Sequence, residues 1–376
     1  MSRRLRRITV SGYKSIDQVE LALGPVTMLV GPNGAGKSNF IGAVELLGFI
    51  ADGDLGEAVG RLGGAAALLH DVAKGAAGIG LRVEADDGAL VNAYEAKLVP
   101  SHRGELVFSR EVVEFHDTGR FEKPMREEIG RGHRESRLAE TAERTPFESI
   151  VGVARHTLEI LRGCRVYHFH DTTPGAPVKQ PGYATDTENL HPDARNLAAF
   201  LMRLREEHPA DYQQIVRTVR SVAPFFRDFV LTEDAAGRVL LRWKQSGSDT
   251  VFPADALSDG SLRFICLAVL LLQPRPPALL VLDEPELGLH PFAITVLAEL
   301  FRSASAHSQI LAATQSVTLV DQFELDELVV AERVNGSTRL DRPDREALGA
   351  WLGDYSLGDL WLKNLLGGRP RPERKR

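Results

Sequence analysis

Gly31-Pro32-Asn33-Gly34-Ala35-Gly36-Lys37-Ser38 fits the pattern G-x-x-x-x-G-K-[ST], and its flanks decide the fold. Val26 to Val30 before it reads as a short apolar strand, and Asn39 to Ile50 after it reads as a helix. Strand, glycine loop and helix together make an anion cradle, because successive backbone N–H groups and a helix N-terminus converge on phosphate. Asn33, Gly34, Ala35, Gly36 and Asn39 are the expected nucleotide contacts of the loop and helix start. Lys37 supplies a point charge for the β- and γ-phosphates, and the Ser38 hydroxyl is a Mg²⁺ ligand.

Far downstream, Leu280-Val281-Leu282-Asp283-Glu284-Pro285 is an apolar run that ends in two adjacent carboxylates. A carboxylate at the end of a buried strand needs a cation to face, since burying it unpaired is costly. Mg²⁺ held by Ser38 and Asp283 meets that need. Glu284 is placed to polarise an attacking water. ATP and Mg²⁺ are the expected cofactors, and hydrolysis to ADP and phosphate the expected reaction.

The rest of the composition sets bounds. The chain has 376 residues, 43% hydrophobic and 26% charged, which is ordinary globular composition. Its longest apolar run, Ile265 to Leu272, falls far short of the roughly 18 residues of a membrane span. Arginines crowd the N-terminus, but no apolar leader follows them. Cys164 and Cys266 both sit in apolar surroundings, which fits a reducing, cytoplasmic compartment without a disulfide framework. A net charge of −6 excludes a globally basic nucleic-acid binder. Only the N-terminal arginines and the tail Arg369–Arg376 offer local basic patches, which are either solvated ends or phosphate-backbone contacts.

Along the chain, strand patterns lie near Ile8–Tyr13 and Val19–Leu23, then at 80–84, 90–98 and 105–115. Residues 51–80 are Gly/Ala-rich without a period, and 117–146 read as a charged, exposed excursion, helical in part. Helices are expected at 147–161, 196–207 and 212–222, a strand at 165–169, and a hairpin from 229–231 and 239–243 around Ala235-Ala236-Gly237. Then come an apolar helix at 262–272, buried strands at 279–282 and 310–313, a helix at 291–303, and strands at 328–331 and 337–340.

Between the two carboxylates and the glycine loop lies Leu257-Ser258-Asp259-Gly260-Ser261, which resembles the signature motif of ATP-binding-cassette ATPases. The order of glycine loop, signature, Asp283–Glu284, Glu286–His290 and Thr314–Ser316 is the cassette order. The opening Ile8–Ile16 and the run Glu284–Pro291 resemble the RecF/SMC-like branch of that superfamily. Tyr167–Thr172 and Asn364–Pro370 are similar to a bacterial subgroup of stand-alone AAA/RecF-like ATPases. The resemblance implies an α/β fold: a P-loop NTPase of the ABC-type head, with a mixed sheet, an antiparallel β subdomain and a helical lobe. It implies that Ser258 and the N–H of Gly260 contact the γ-phosphate held by a second copy, so that a homodimer sandwiches two ATP molecules. It also implies that Lys14 and Ser15 reach the nucleotide from the first turn, against the plainer reading of a surface lysine.

This sequence departs from the family in three places. Asp259 replaces the usual glycine of the signature. Gln315 stands where many cassette ATPases have histidine, so it can hydrogen-bond phosphate or water but cannot become cationic. The glutamine that normally reaches Mg²⁺ is not identifiable, with Gln18 and Gln180 the candidates. Glu284 and Gln315 are thus the expected catalytic pair, working slowly. His168, His170 and Asp171 could be read as a metal set, but a structural or phosphate-side role suits them better; His290 is expected at a subunit interface. The expected spans are 1–50 with 225–345 for the nucleotide core, 51–224 for an inserted sheet and helical lobe, and 346–376 for C-terminal helices and tail. The stretch between Ser38 and Ser258 is too long for a transporter cassette. No nuclease signature follows the core, so an effector nuclease is expected on another chain. The expected function is an ATP-driven switch acting on DNA or on a separate effector, in DNA repair or antiphage defence. The alternative is a nucleotide-binding regulatory scaffold for a partner protein with little turnover.

Overall fold

A computed structural model describes residues 4–70, 78–143, 149–349 and 351–368, so the Arg369–Arg376 tail lies outside the described residues. Strand β1 (Arg4–Tyr13) turns tightly into β2 (Ile16–Ala22), and β3 (Val26–Val30) runs into the glycine loop and helix α1 (Lys37–Asp52). The Gly/Ala-rich stretch after it forms two short helices, α2 (Leu55–Arg61) and α3 (Ala65–Leu68). Four strands follow, β4 (Ile79–Asp87), β5 (Leu90–Pro100), β6 (Leu106–Asp117) and β7 (Met125–Gly130), then helices α4 (Leu138–Glu143) and α5 (Ser149–Arg162). The charged excursion is thus partly a strand. Arg126 on β7 pairs with Glu95 and Glu114, so its charges form an outward ladder on a sheet rather than a solvated helix face.

Beyond α5 come β8 (Cys164–Tyr167), β9 (Gly182–Tyr183), α6 (Leu197–Glu207), α7 (Pro209–Val222) and β10 (Phe226–Val230). The expected hairpin partner at 239–243 is split. Strand β11 (Arg238–Val239) pairs with β9, and β12 (Arg242–Gln245) lies between β10 and β13 (Val251–Pro253). The chain then lays down α8 (Asp259–Leu272), β14 (Leu279–Asp283), α9 (Pro291–Ala304), β15 (Gln309–Thr314), α10 (Val317–Val320), β16 (Leu328–Val334), β17 (Ser337–Asp341), α11 (Arg345–Leu348) and α12 (Leu357–Leu362). No helix is long and apolar enough to cross a membrane among the described residues.

Two six-stranded sheets organise these elements. One is antiparallel, in the order β2-β1-β4-β5-β6-β7; the other runs β17-β16-β3-β15-β14-β8, parallel except for β17. The parallel strands read as unbroken apolar runs because both faces are covered. Leu280, Leu282, Ile310 and Ala312 face one core with α7, α8 and α9, while Leu279, Val281, Leu311 and Ala313 face the other with α1, α5 and the antiparallel sheet. Each such Leu or Val side chain contributes about 1.5–3 kcal/mol by leaving water. Strands β1 and β2 join the antiparallel sheet, and β8 joins the parallel one. Gln309 fastens the layers. Its Oε1 accepts from Leu5 N–H at 2.6 Å, and its Nε2 donates to the carbonyls of Leu5 (2.8 Å) and Gly24 (3.2 Å).

Candidate nucleotide-binding site

Parallel strands deliver their C-terminal ends to one edge, and in open α/β sheets that edge is where ligands bind. Here β3, β15, β14 and β8 bring the glycine loop, Thr314-Gln315, Asp283-Glu284 and His168 to that edge. Gly34 and Gly36 have φ of +79° and +103°, values that strain any other residue. A Cβ on Gly36 would lie 1.8 Å from Thr338 Oγ1, so the loop is pressed against β17. Thr338 Oγ1 meets Ser15 Oγ at 2.6 Å, and Asn39 Nδ2 donates to the same Ser15 oxygen at 2.6 Å. The turn between β1 and β2 is therefore tied to the start of α1. Asn39 spends its amide on this tie. Lys14 holds a φ of +46° in the turn, and its ammonium lies 5.4 Å from the Tyr13 ring centroid.

Lys37 is buried, 4% exposed, and donates to the carbonyls of Gly31 (2.7 Å) and Pro32 (3.1 Å). Burial lowers its pKa, while Glu284, Asp283 and Glu286 pull the other way, which places the lysine in the field of all three carboxylates. Ser38, Asn33 and Gly34 are exposed on the outer side of the loop. Asp283 Oδ1 is buried with no hydrogen-bond partner. A buried carboxylate oxygen left open beside a phosphate-type loop fits a metal cation, and the hard oxygen donors Asp283 and Ser38 suit Mg²⁺.

Glu284 has φ +46°, and its N–H donates to Ala313 carbonyl at 2.8 Å, which turns the side chain off the strand end. Gln315 Nε2 donates to Glu284 Oε1, so the two expected catalytic residues are in contact. Glu286, which the sequence reading left without a role, accepts from the Thr314 hydroxyl and from Gln315 N–H at 3.3 Å. It is buried, its Oε2 has no partner, and desolvation raises its pKa.

Ser258 caps α8, accepting from Ser261 N–H at 3.2 Å. A Cβ on Gly260 would come within 2.4 Å of Gly288 carbonyl, and Arg263 donates to the carbonyls of Leu287 (3.0 Å) and His170 (2.8 Å). The α8 N-terminus is thus packed on the loop after Glu284. No hydrogen bond among the described residues joins Ser258 or Gly260 to the glycine loop.

Neither glutamine candidate reaches the metal side. Gln18 is exposed on β2 opposite Ser11, and Gln180 donates to Pro174 carbonyl at 2.9 Å. His168 lies near Asp283 on this edge, one step past the last registered pair of β8 and β14, Tyr167 with Leu282. Its Nε2 lies 3.6 Å from Glu45 on α1, and Glu45 first, with Asp283 adding, raises its pKa above the ordinary value. Asp171 turns away to the Thr173 hydroxyl and N–H, and no cluster of three His, Cys, Asp or Glu able to hold a metal exists among the described residues. His290 caps α9 at an exposed position.

The profile of a family described as "AAA domain, putative AbiEii toxin, Type IV TA system" matches residues 167–321. The fold is similar to the Smc head domain with an extended coiled coil bound to the C-terminal domain of ScpA, derived from Pyrococcus furiosus. That likeness has a TM-score of 0.55 at 15% identity and covers 94% of this chain and 99% of that one. The chain therefore has the fold of an SMC head domain. The head is also similar to an SmcHead bound to the C-winged helix domain of ScpA (TM-score 0.51, 16% identity, 90% and 96% covered). An OLD nuclease of Thermus scotoductus is 42% identical to it over 43 residues, which span 11% of this chain and only 8% of that relative.

Proposed function

We propose that the head binds ATP with Mg²⁺, hydrolyses it slowly, and uses the bound nucleotide to join two copies. The observation that carries this reading is the buried, unpartnered Asp283 Oδ1 in the same field as Lys37 and Glu284. Ser38 and Asp283 would hold Mg²⁺, which when bound neutralises charge on phosphate oxygens. Lys37 gives up its two carbonyl partners to phosphate. Glu284 takes the proton of the attacking water, and Gln315 orients that carboxylate while its amide oxygen stays available to the water. Because Gln315 cannot become cationic and Asp259 puts a negative charge beside the signature, turnover is slow. Ser258 and the Gly260 N–H, which make no hydrogen bond to their own glycine loop among the described residues, serve the nucleotide of the second copy.

The client is DNA or a separately encoded effector such as a nuclease, in DNA repair or antiphage defence. Support comes from the SMC-head fold and from the stretch shared with an OLD nuclease. The contact of Gln315 with Glu284 also favours a second reading, in which the carboxylate stays occupied and the head is a nucleotide-bound scaffold for a partner protein. Two measurements decide between them. Phosphate release with and without DNA should show turnover that Glu284→Gln lowers by about 10²–10⁴-fold while ATP binding persists. Light scattering of Glu284→Gln should show a dimer with ATP·Mg²⁺ that Ser258→Arg abolishes. Turnover equal in wild type and Glu284→Gln removes the base assignment, and a monomer under ATP at low salt removes the sandwich. DNA binding, followed with a fluorescent duplex, should be sequence-independent and weaken steeply with salt.

A further inference from the structure

The antiparallel sheet meets α5 over a cavity of about 490 Å³, remote in sequence from every nucleotide-site residue. It is lined by Asn92 on β5, Phe115 on β6, Met125 on β7, Gly152 and Val153 on α5, and the connection Phe121-Lys123-Pro124. The inward face of this sheet is otherwise core. Tyr94, Ala96 and Leu98 follow Asn92 along β5 at the same period and are fully buried. Asn92 is only 2% exposed, and its Nδ2 has no hydrogen-bond partner.

An orphaned amide on a core face is destabilising until a partner satisfies it. The neighbouring polar group shows that this sheet satisfies what it buries, because the Tyr94 hydroxyl donates to Glu111 at 2.6 Å. A resident water would need two to four polar partners, and among the described lining residues only Asn92 and Lys123 carry a polar side chain. The volume falls in the range of small-molecule sites, about 300–1,000 Å³, which are mostly apolar with a few placed polar groups. Phe121 is 62% exposed at the mouth, an aromatic ring held in water beside an apolar hollow, and Lys123 stands exposed next to it.

We propose that this cavity binds a small amphipathic organic acid: an apolar ring or acyl body in the hollow, an acceptor oxygen on Asn92 Nδ2, and the acid group toward Lys123. The site is independent of the nucleotide reading and stands whether or not the head hydrolyses ATP.

Dansylglycine carries the required parts, a naphthalene body, a sulfonyl acceptor and a carboxylate, and dansylamide lacks the carboxylate. Nucleotide-free, full-length protein titrated with dansylglycine should show one saturable, blue-shifted site. A Cβ on Gly152 meets nothing within 4 Å, so Gly152→Phe can fill the hollow without disturbing the fold and should abolish the signal. Asn92→Leu, which removes the orphan donor and should melt at or above the wild-type temperature, should weaken binding about tenfold. Lys123→Ala should lower affinity for dansylglycine severalfold and leave dansylamide unchanged. Non-saturable fluorescence overturns the proposal. So does wild-type affinity in a folded Gly152→Phe or Asn92→Leu protein, and equal loss of both probes in Lys123→Ala overturns the placing of the acid group.

Discussion

Glu111, in the middle of the antiparallel sheet, and the pair Asp283 and Glu286, at the edge of the parallel one, are carboxylates buried to different ends. Glu111 is fully buried and every near donor is turned on it: the Tyr94 hydroxyl at 2.6 Å, His133 Nε2 at 2.8 Å, Arg137 N–H at 3.0 Å and the Ser136 hydroxyl. It fastens β5, β6 and the segment leading to α4. Asp283 and Glu286 each leave one buried oxygen without a partner. A buried charge that is fully hydrogen-bonded fixes a structure, whereas one left open stores electrostatic potential for a ligand. The same side-chain chemistry thus acts as a rivet in one sheet and, in the function we propose, as part of a socket in the other.

The largest effect that could break this contrast is on stability. Glu111→Ala would leave four donors without their partner, the Tyr94 hydroxyl among them fully buried, and should cost about 1–3 kcal/mol for each buried donor left unpaired. Asp283→Asn leaves no such orphans and should change nucleotide-free stability by less than about 1 kcal/mol. Urea unfolding of the two variants measures both. Similar losses would mean that Asp283 is structural after all.

The contrast sharpens when ligand is added. At a concentration 100 times its dissociation constant, ATP·Mg²⁺ should stabilise the wild type by about 2.7 kcal/mol. EDTA should remove the metal-dependent share, and Asp283→Asn should behave in ATP·Mg²⁺ as the wild type does in EDTA. Lys37→Ala should lose the whole increment. Thermal melts across these conditions suffice, and a metal-dependent rise retained in Asp283→Asn would take the metal off that residue.

Most of the socket was legible in the chain because its parts are consecutive. Residues 31–38 and 280–285 each place several groups through one turn or one strand end, and uninterrupted apolar runs reveal doubly covered strands. The rivet was not legible. Glu111, His133 and Ser136 are polar residues in a charged stretch, and only the pairing of β6 with its neighbours makes them a cluster. The same limit hid Thr338, which presses on Gly36 across the whole length of the chain, and His168, whose place beside Asp283 depends on β8 docking in parallel next to β14. Strand β7 was not legible because Met125–Gly130 is an edge strand with charged residues on both faces, so no alternation shows. Glu286 was passed over because a glutamate after Asp-Glu-Pro looks like part of an exposed turn. Its burial comes from Thr314 and Gln315 on the next strand.

Glu286 gives the smallest and most discriminating test. Desolvation first, and the nearby Glu284 after it, raise its pKa above the ordinary carboxylate value, against the hydrogen bonds from Thr314 and Gln315. The folded state therefore holds this proton more tightly than the unfolded chain does. Its contribution is fully present below the unfolded pKa and is lost as pH rises through the folded one. Relative to Glu286→Gln, which has no such titration, the nucleotide-free wild type should lose stability as pH climbs from the ordinary glutamate value through the raised one. The difference should level off with the variant ahead by under about 1 kcal/mol. Unfolding curves at a series of pH values read this directly. A difference that stays flat with pH would show Glu286 to be fully compensated, and the open oxygen would then be no part of the socket. A difference that follows the predicted slope and disappears on adding ATP·Mg²⁺ would show the nucleotide supplying the compensation that the apo-protein lacks.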